Sequence, residues 1–152
     1  MKNLLLIALL GLMVSQVSAQ KIKESEVPKV ARDAFMKTYP AAKEVKWEKE
    51  EGGYEASFDL GKKDMSVVLD EMGVIKEVET EISKSELPKA ALEALKKEYA
   101  GYKIEETAKI VSNGITTYEA EVEKGEKTFE LIFDDKGTLL KKTEVKEKDE
   151  KD

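Results

Sequence analysis

Across residues 27–39 the apolar side chains recur at the i, i+3, i+4, i+7 spacing of an amphipathic helix, and after Pro40 they alternate one by one with polar residues. Val27, Val30, Ala31, Ala34, Phe35 and Thr38-Tyr39 make the helical stripe. Ser25 is expected to cap this helix, with Glu26 and Pro28 in its first turn and Pro40 as its stop. The period then falls to two, which predicts strands. Val45 and Trp47 alternate with Lys46 and Glu48; Tyr54, Ala56, Phe58 and Leu60 alternate with Glu55, Ser57 and Asp59; Met65, Val67 and Leu69 alternate with Ser66 and Val68. Turns are expected at Glu50-Glu51-Gly52-Gly53, Gly61-Lys62-Lys63 and Asp70-Glu71-Met72-Gly73, and a fourth strand over 74–82.

This α-β-β-β-β order occurs twice. Ser25-Glu26-Val27-Pro28-Lys29 returns as Ser85-Glu86-Leu87-Pro88-Lys89, followed by the stripe Leu87, Ala91, Ala94, Leu95 and Tyr99, with Gly101 at the helix end. Tyr54-Glu55-Ala56 returns as Tyr118-Glu119-Ala120, and Asp70 with Gly73 as Asp134 with Gly137. The offset grows from 60 to 64 between the first two strands, which assigns four added residues to the Ser112-Asn113-Gly114 turn region. The fold class is α+β: two tandem repeats, each a helix packed on a four-stranded antiparallel sheet. Residues 20–84 form the first module and 85–145 the second, after a lead-in at 20–24. Units this small have marginal cores, and sheets joined edge to edge would form one larger curved sheet.

The remaining ends differ in kind. Residues 1–19 carry Lys2, an apolar run over 4–14 and then Val17-Ser18-Ala19, the order of a cleavable signal peptide, with the cut expected between Ala19 and Gln20. The run is too short to span a bilayer, so no membrane insertion is expected after cleavage and the protein is expected to be periplasmic or secreted. Residues 146–152 are all charged and are expected to form a disordered tail. Cleavage removes one lysine and no acid, leaving 25 basic and 32 acidic residues, a net charge of −7. That balance argues against nucleic acid as a partner.

Composition also narrows the chemistry. The chain has no histidine and no cysteine, so Ser-His-Asp and Cys-His nucleophiles and the usual zinc and iron sites are excluded. With no phosphate-binding or nucleophile-elbow motif either, no catalytic residue, cofactor or metal is expected, and the chain reads as a non-enzyme. Acid pairs for glycoside chemistry need a buried carboxyl, whereas most acids here fall at positions expected to face solvent. Asp70-Glu71 and Asp134-Asp135 are read as turn formers rather than calcium ligands, and Trp47, Tyr54 and Tyr118 as packing aromatics. What remains is the sheet face opposite the helices, which should be wet. It should carry Glu55, Ser57, Asp59, Ser66 and Val68 in the first repeat and Glu119, Glu121, Glu123, Glu130 and Ile132 in the second. Val68 and Ile132 stand at equivalent positions and break the polar pattern, as anchors in a protein-binding surface would.

The assembled residues resemble the PepSY-like modules, also described as β-lactamase-inhibitor-like or BLIP-like, small exported proteins often found in the Bacteroidetes. The matching residues are Val27-Pro28, Phe35, Tyr39-Pro40, Val45-Lys46-Trp47, Tyr54-Glu55-Ala56 and Leu69-Asp70 with Gly73; the second copy keeps Leu87-Pro88, Tyr99, Tyr118-Glu119-Ala120 and Phe133-Asp134 with Gly137, but has Ala100 where the pattern has proline. The resemblance implies a tandem helix-on-sheet architecture and binding or inhibition of an extracytoplasmic protein; it carries over no catalytic residue. The expected function is therefore an exported binding module acting through the open sheet face. The alternatives are binding of a small cationic ligand or metal by the acidic face, or a purely structural envelope role.

Overall fold

The computed structural model describes residues 20–145, so the expected signal peptide, its expected cleavage and the expected tail at 146–152 lie outside the described residues. Two compact units divide between Thr80 and Glu81. In the first, β1 (Gln20–Ile22) precedes α1 (Lys29–Thr38), followed by β2 (Lys43–Glu50), β3 (Gly53–Leu60), β4 (Lys63–Leu69) and β5 (Ile75–Glu81). In the second, α2 (Lys89–Glu98) precedes β6 (Lys103–Ser112), β7 (Ile115–Lys124), β8 (Lys127–Phe133) and β9 (Leu139–Val145). Within each unit every strand pairs antiparallel with the next along the chain.

The lead-in is not a loop: β1 pairs with β2 and places Ile22 opposite Trp47. The first unit therefore has five strands rather than four. The reason lies in the repeat itself. Sixty residues on, Ile82 and Thr107 are the counterparts of Ile22 and Trp47, and the Ile82 amide donates to the Thr107 carbonyl at 2.9 Å while the Thr107 hydroxyl donates to the Ile82 carbonyl at 2.7 Å. The repeating segment thus starts a few residues before the Ser-Glu-x-Pro-Lys motif.

That motif starts the helices differently from the sequence expectation. Ser25 caps nothing, and α1 begins after Pro28, whose φ of −53° leads into the first turn. The preceding residues form a 3₁₀ turn in which Glu26 reaches back to accept the Lys23 amide at 2.8 Å, as Glu86 accepts the Ser83 amide at 2.9 Å. The acid of the motif satisfies an amide of the turn, not the dipole of the helix. At the far ends, the Tyr39 and Tyr99 amides donate to the Phe35 and Leu95 carbonyls, so both helices stop at the same position. Ala100 in place of proline changes neither length nor end.

The buried stripe is narrower than the apolar spacing suggests. Val27, Ala31 and Phe35 are fully buried, as are Leu87, Ala91 and Leu95, whereas Val30 is 55% exposed. Val30 stands one residue, about 100°, from Ala31 and so leaves the core face. In the first unit the helix packs on Trp47, Tyr54, Ala56, Phe58, Val67 and Leu69. In the second it packs on Ala120, Val122, Phe129, Leu131 and Phe133.

The four added residues of the second repeat lie in strands, not in the turn. The first hairpin pairs Glu50 with Gly53 around two turn residues, and the second pairs Ser112 with Ile115 around two. The strands grow from eight residues each to ten. Two residues added on each side keep the pleat in phase, so no side chain changes face.

Each repeat closes its last hairpin against its helix. Asp70 Oδ1 accepts the Met72 and Val74 amides at 3.0 and 2.9 Å, and Asp134 Oδ1 accepts the Lys136 and Thr138 amides at 3.0 and 2.7 Å. These bonds hold both aspartates below the usual carboxylate range, with a hydrogen bond from Lys76 the largest contribution at Asp70. They also account for both acids by turn geometry alone. Gly137 sits at φ +82°, and a Cβ there would meet the Ala91 backbone nitrogen and lie 2.7 Å from the Ala90 Cβ. Gly137→Ala is therefore expected to lower stability by about 2–4 kcal/mol, whereas Gly114→Ala, at a similar φ but with open space, should cost about 1. Urea unfolding followed by circular dichroism measures both; equal losses would show that the packing of the turn on the helix contributes nothing.

Candidate functional site: the sheet face opposite the helix

Because Tyr54, Ala56, Phe58, Val67 and Leu69 point to the helix, alternation places Glu55, Ser57, Asp59, Ser66 and Val68 on the other face of the first unit. The same logic places Glu119, Glu121, Glu123, Glu130 and Ile132 there in the second. Each expected set does share one face. Its exposure, however, differs from the expectation of a wet surface: Glu55 is 4% exposed, Ser66 4%, Glu119 5% and Ile132 3%. Ser57, Asp59, Val68, Glu121 and Glu130 are half-buried, and Glu123 is exposed. The buried positions lie on inner strands, flanked on both sides by the side chains of paired neighbours. Glu55 stands between Glu48 and Val68, and Glu119 between Ala108 and Ile132.

The register reveals rows that the sequence reading did not assemble. In the first unit one row runs Glu48, Glu55, Val68, Glu77 across four strands, and the next runs Lys46, Ser57, Ser66, Glu79. In the second unit the counterparts are Ala108, Glu119, Ile132, Lys141 and Glu106, Glu121, Glu130, Thr143. Glu48 thus faces Glu55, and three glutamates stand side by side at Glu106, Glu121 and Glu130. Like charges directly opposite one another weaken a sheet. Glu77 and Glu79, both 8% exposed, were missed because a register shift between Val68 and Leu69 interrupts the simple alternation into β5. The buried Ala108 and Ile110 were missed because they lie in the stretch where the two copies are out of step.

The repeat supplies its own control. Positions occupied by Glu121 and Glu130 in the second unit are Ser57 and Ser66 in the first, and Glu48 of the first is Ala108 in the second. The fold accepts neutral residues at these places, so the acid rows are not a requirement of its architecture. Their electrostatic cost is visible in the carboxyls themselves. Burial pushes Glu55 up to about 8, opposed by a hydrogen bond from the Ser66 hydroxyl and reinforced by Glu50, Glu79 and Glu48. Burial likewise pushes Glu130 up to about 7, with Glu121 adding to the shift and Lys141 opposing it. Glu121 is also raised, by burial and then by Glu105 and Glu123. The premise that the acids are solvent-facing fails at these positions.

Around the face, the aromatic residues serve packing. Phe35 meets Trp47 edge-on at 5.2 Å and Phe58 at 5.0 Å on the helix side, and Tyr54 and Tyr118 also lie on that side. Among the described residues, no group of three or more acidic side chains is arranged to hold a metal ion, and no helix is long and apolar enough to cross a membrane.

The family described as "Putative beta-lactamase-inhibitor-like, PepSY-like" matches this chain twice, over residues 13–77 and 69–141. Among solved structures, a BLIP-like protein from Bacteroides fragilis is 27% identical, with a TM-score of 0.64, covering 82% of this chain and 92% of its own. A protein from Bacteroides eggerthii described as putatively periplasmic is 19% identical, with a TM-score of 0.74, covering 82% of this chain and 93% of its own. No curated protein gives a significant match.

Proposed function

Because this chain belongs to the putative beta-lactamase-inhibitor-like, PepSY-like family, we propose that it is an exported, non-enzymatic binding module. In this reading the sheet face opposite each helix receives a basic segment of an extracytoplasmic protein. The observation that carries the reading is the row of like charges. Glutamates placed opposite one another across adjacent strands oppose folding, and the alternative copy of the same fold does without them. Such violations of local stability rules are expected where a surface serves recognition. The register gives the first unit's face seven acids, Glu48, Glu50, Glu55, Asp59, Asp64, Glu77 and Glu79, against Lys21, Lys43 and Lys46. Lysine and arginine side chains complement that face. Export is supported by the signal-peptide order of residues 1–19 and by the periplasmic description of the B. eggerthii protein. Val68 and Ile132 would supply apolar contact within the acid surround.

The test uses the protein beginning at Gln20 and a capped synthetic peptide of alternating lysine and threonine, followed by calorimetry near pH 8. Binding is expected to weaken with salt. Ser57→Lys with Glu121→Lys should reduce affinity by about tenfold or more, while Glu93→Lys on the exposed surface of α2 should leave it within about twofold. Equal losses from all three substitutions would show only nonspecific attraction to an acidic protein and would sink the proposed surface.

A further inference from the structure

The buried carboxylates of this face have an arrangement that bears on when it binds. Around Glu55, β2 contributes Lys46, Glu48 and Glu50, β1 contributes Lys21 beyond Glu48, β4 contributes Asp64 and the Ser66 hydroxyl, and β5 contributes Glu77 and Glu79. Around Glu130, β7 contributes Glu119, Glu121 and Glu123, β6 contributes Glu106 one strand further, and β9 contributes Lys141 and Thr143. In both places an inner-strand carboxyl is packed among acids, with lysine in the minority. A proton is the smallest group that relieves such crowding.

We propose that the docking face is proton-gated, with Glu55 and Glu130 neutral at mildly acidic pH, where the face releases a basic segment, and ionised at mildly alkaline pH, where it holds one. The gate rests on the reading of this face as a docking surface for a basic partner. Its geometric basis is the set of glutamates stacked across neighbouring strands, and the upward displacement of both carboxyls by burial and by neighbouring acids agrees with it. A basic side chain set against either carboxyl favours the ionised form, so docking expels a proton and affinity rises with pH. The absence of histidine from the chain makes the gate specific. Apart from the terminal amine, no group with an ordinary value changes charge between about pH 5.5 and about pH 8.

Two measurements test the gate separately from the docking. Carbon-detected NMR titration of the free protein should show the Glu55 and Glu130 carboxyls titrating above about pH 6; midpoints near the ordinary glutamate value of about 4.3 would overturn the gate whatever binds. Calorimetry with the capped lysine-threonine peptide at constant ionic strength should give about tenfold tighter binding near pH 8 than near pH 5.5, falling to less than about threefold in Glu55→Gln with Glu130→Gln. Equal affinity at both pH values would overturn the gate and leave the docking reading intact. A pH dependence that survives in the double variant would overturn the assignment to these two residues, and no binding at either pH would overturn the docking reading and the gate with it.

Discussion

Phe35→Ala is expected to lower the unfolding free energy of the first unit by about 3–5 kcal/mol, most of what a module of this size has to lose. The side chain is 1% exposed and stands at the centre of an aromatic group, 5.2 Å from Trp47, 5.0 Å from Phe58 and 5.6 Å from Tyr39 between ring centroids. Truncation leaves a cavity bounded by rigid rings carried on helix and sheet, which cannot collapse together to fill it. The second unit shows what the site tolerates, because Leu95 occupies the equivalent position with 3% exposure. Phe35→Leu should therefore cost only about 1–2 kcal/mol. Trp47 is the sole tryptophan and touches the altered site, so its fluorescence in urea reports this unit specifically. A loss below about 1 kcal/mol for Phe35→Ala would mean that the helix is not the main cover of the sheet.

Glu55→Gln is expected to act in the opposite direction and only at high pH. The folded unit holds Glu55 protonated up to about 8, whereas the unfolded chain releases that proton near 4.5. The folded value is the higher one, so the folded state binds more protons across this interval. Stability is undiminished below about 4.5 and falls as pH rises towards about 8. The full displacement corresponds to roughly 4–5 kcal/mol, and rotation of the side chain towards water reduces this to about 1–3. Glutamine removes the charge while keeping the shape and the ability to bond Ser66. Near pH 8.5 the variant should thus exceed the natural protein by about 1–3 kcal/mol, and near pH 4 the two should agree within about 0.5. Equal stabilities at both pH values would place Glu55 in water and remove the electrostatic account of the face.

The division between what was legible and what was not follows the range of each interaction. The helices, the alternation of the strands and the repeat were readable because they depend on neighbours a few residues away. The membership of the face followed too, since Glu55, Ser57 and Asp59 could only point away from Tyr54, Ala56 and Phe58. The start of the helix was misplaced because a serine followed by glutamate fits both a helix cap and a 3₁₀ turn, and only the bond from the Lys23 amide to Glu26 separates them. Burial of Glu55 and Glu119 was not legible, because it depends on how many strands flank a residue, and alternation carries no record of that. The pairing of Glu48 with Glu55 and of Glu106 with Glu121 depends on register, which the shifts after Lys43 and Ile104 make irregular.

The proposed function places binding on the sheet face opposite the helices. The most direct measurement is a map of backbone amide shifts as the isotopically labelled protein is titrated with the capped lysine-threonine peptide near pH 8. The largest changes are expected on residues such as Glu48, Glu55, Ser57, Val68, Glu121 and Glu130, while exposed helix positions such as Val30, Met36 and Glu93 remain still. Changes concentrated on the helices, or spread evenly over the charged surface, would contradict it.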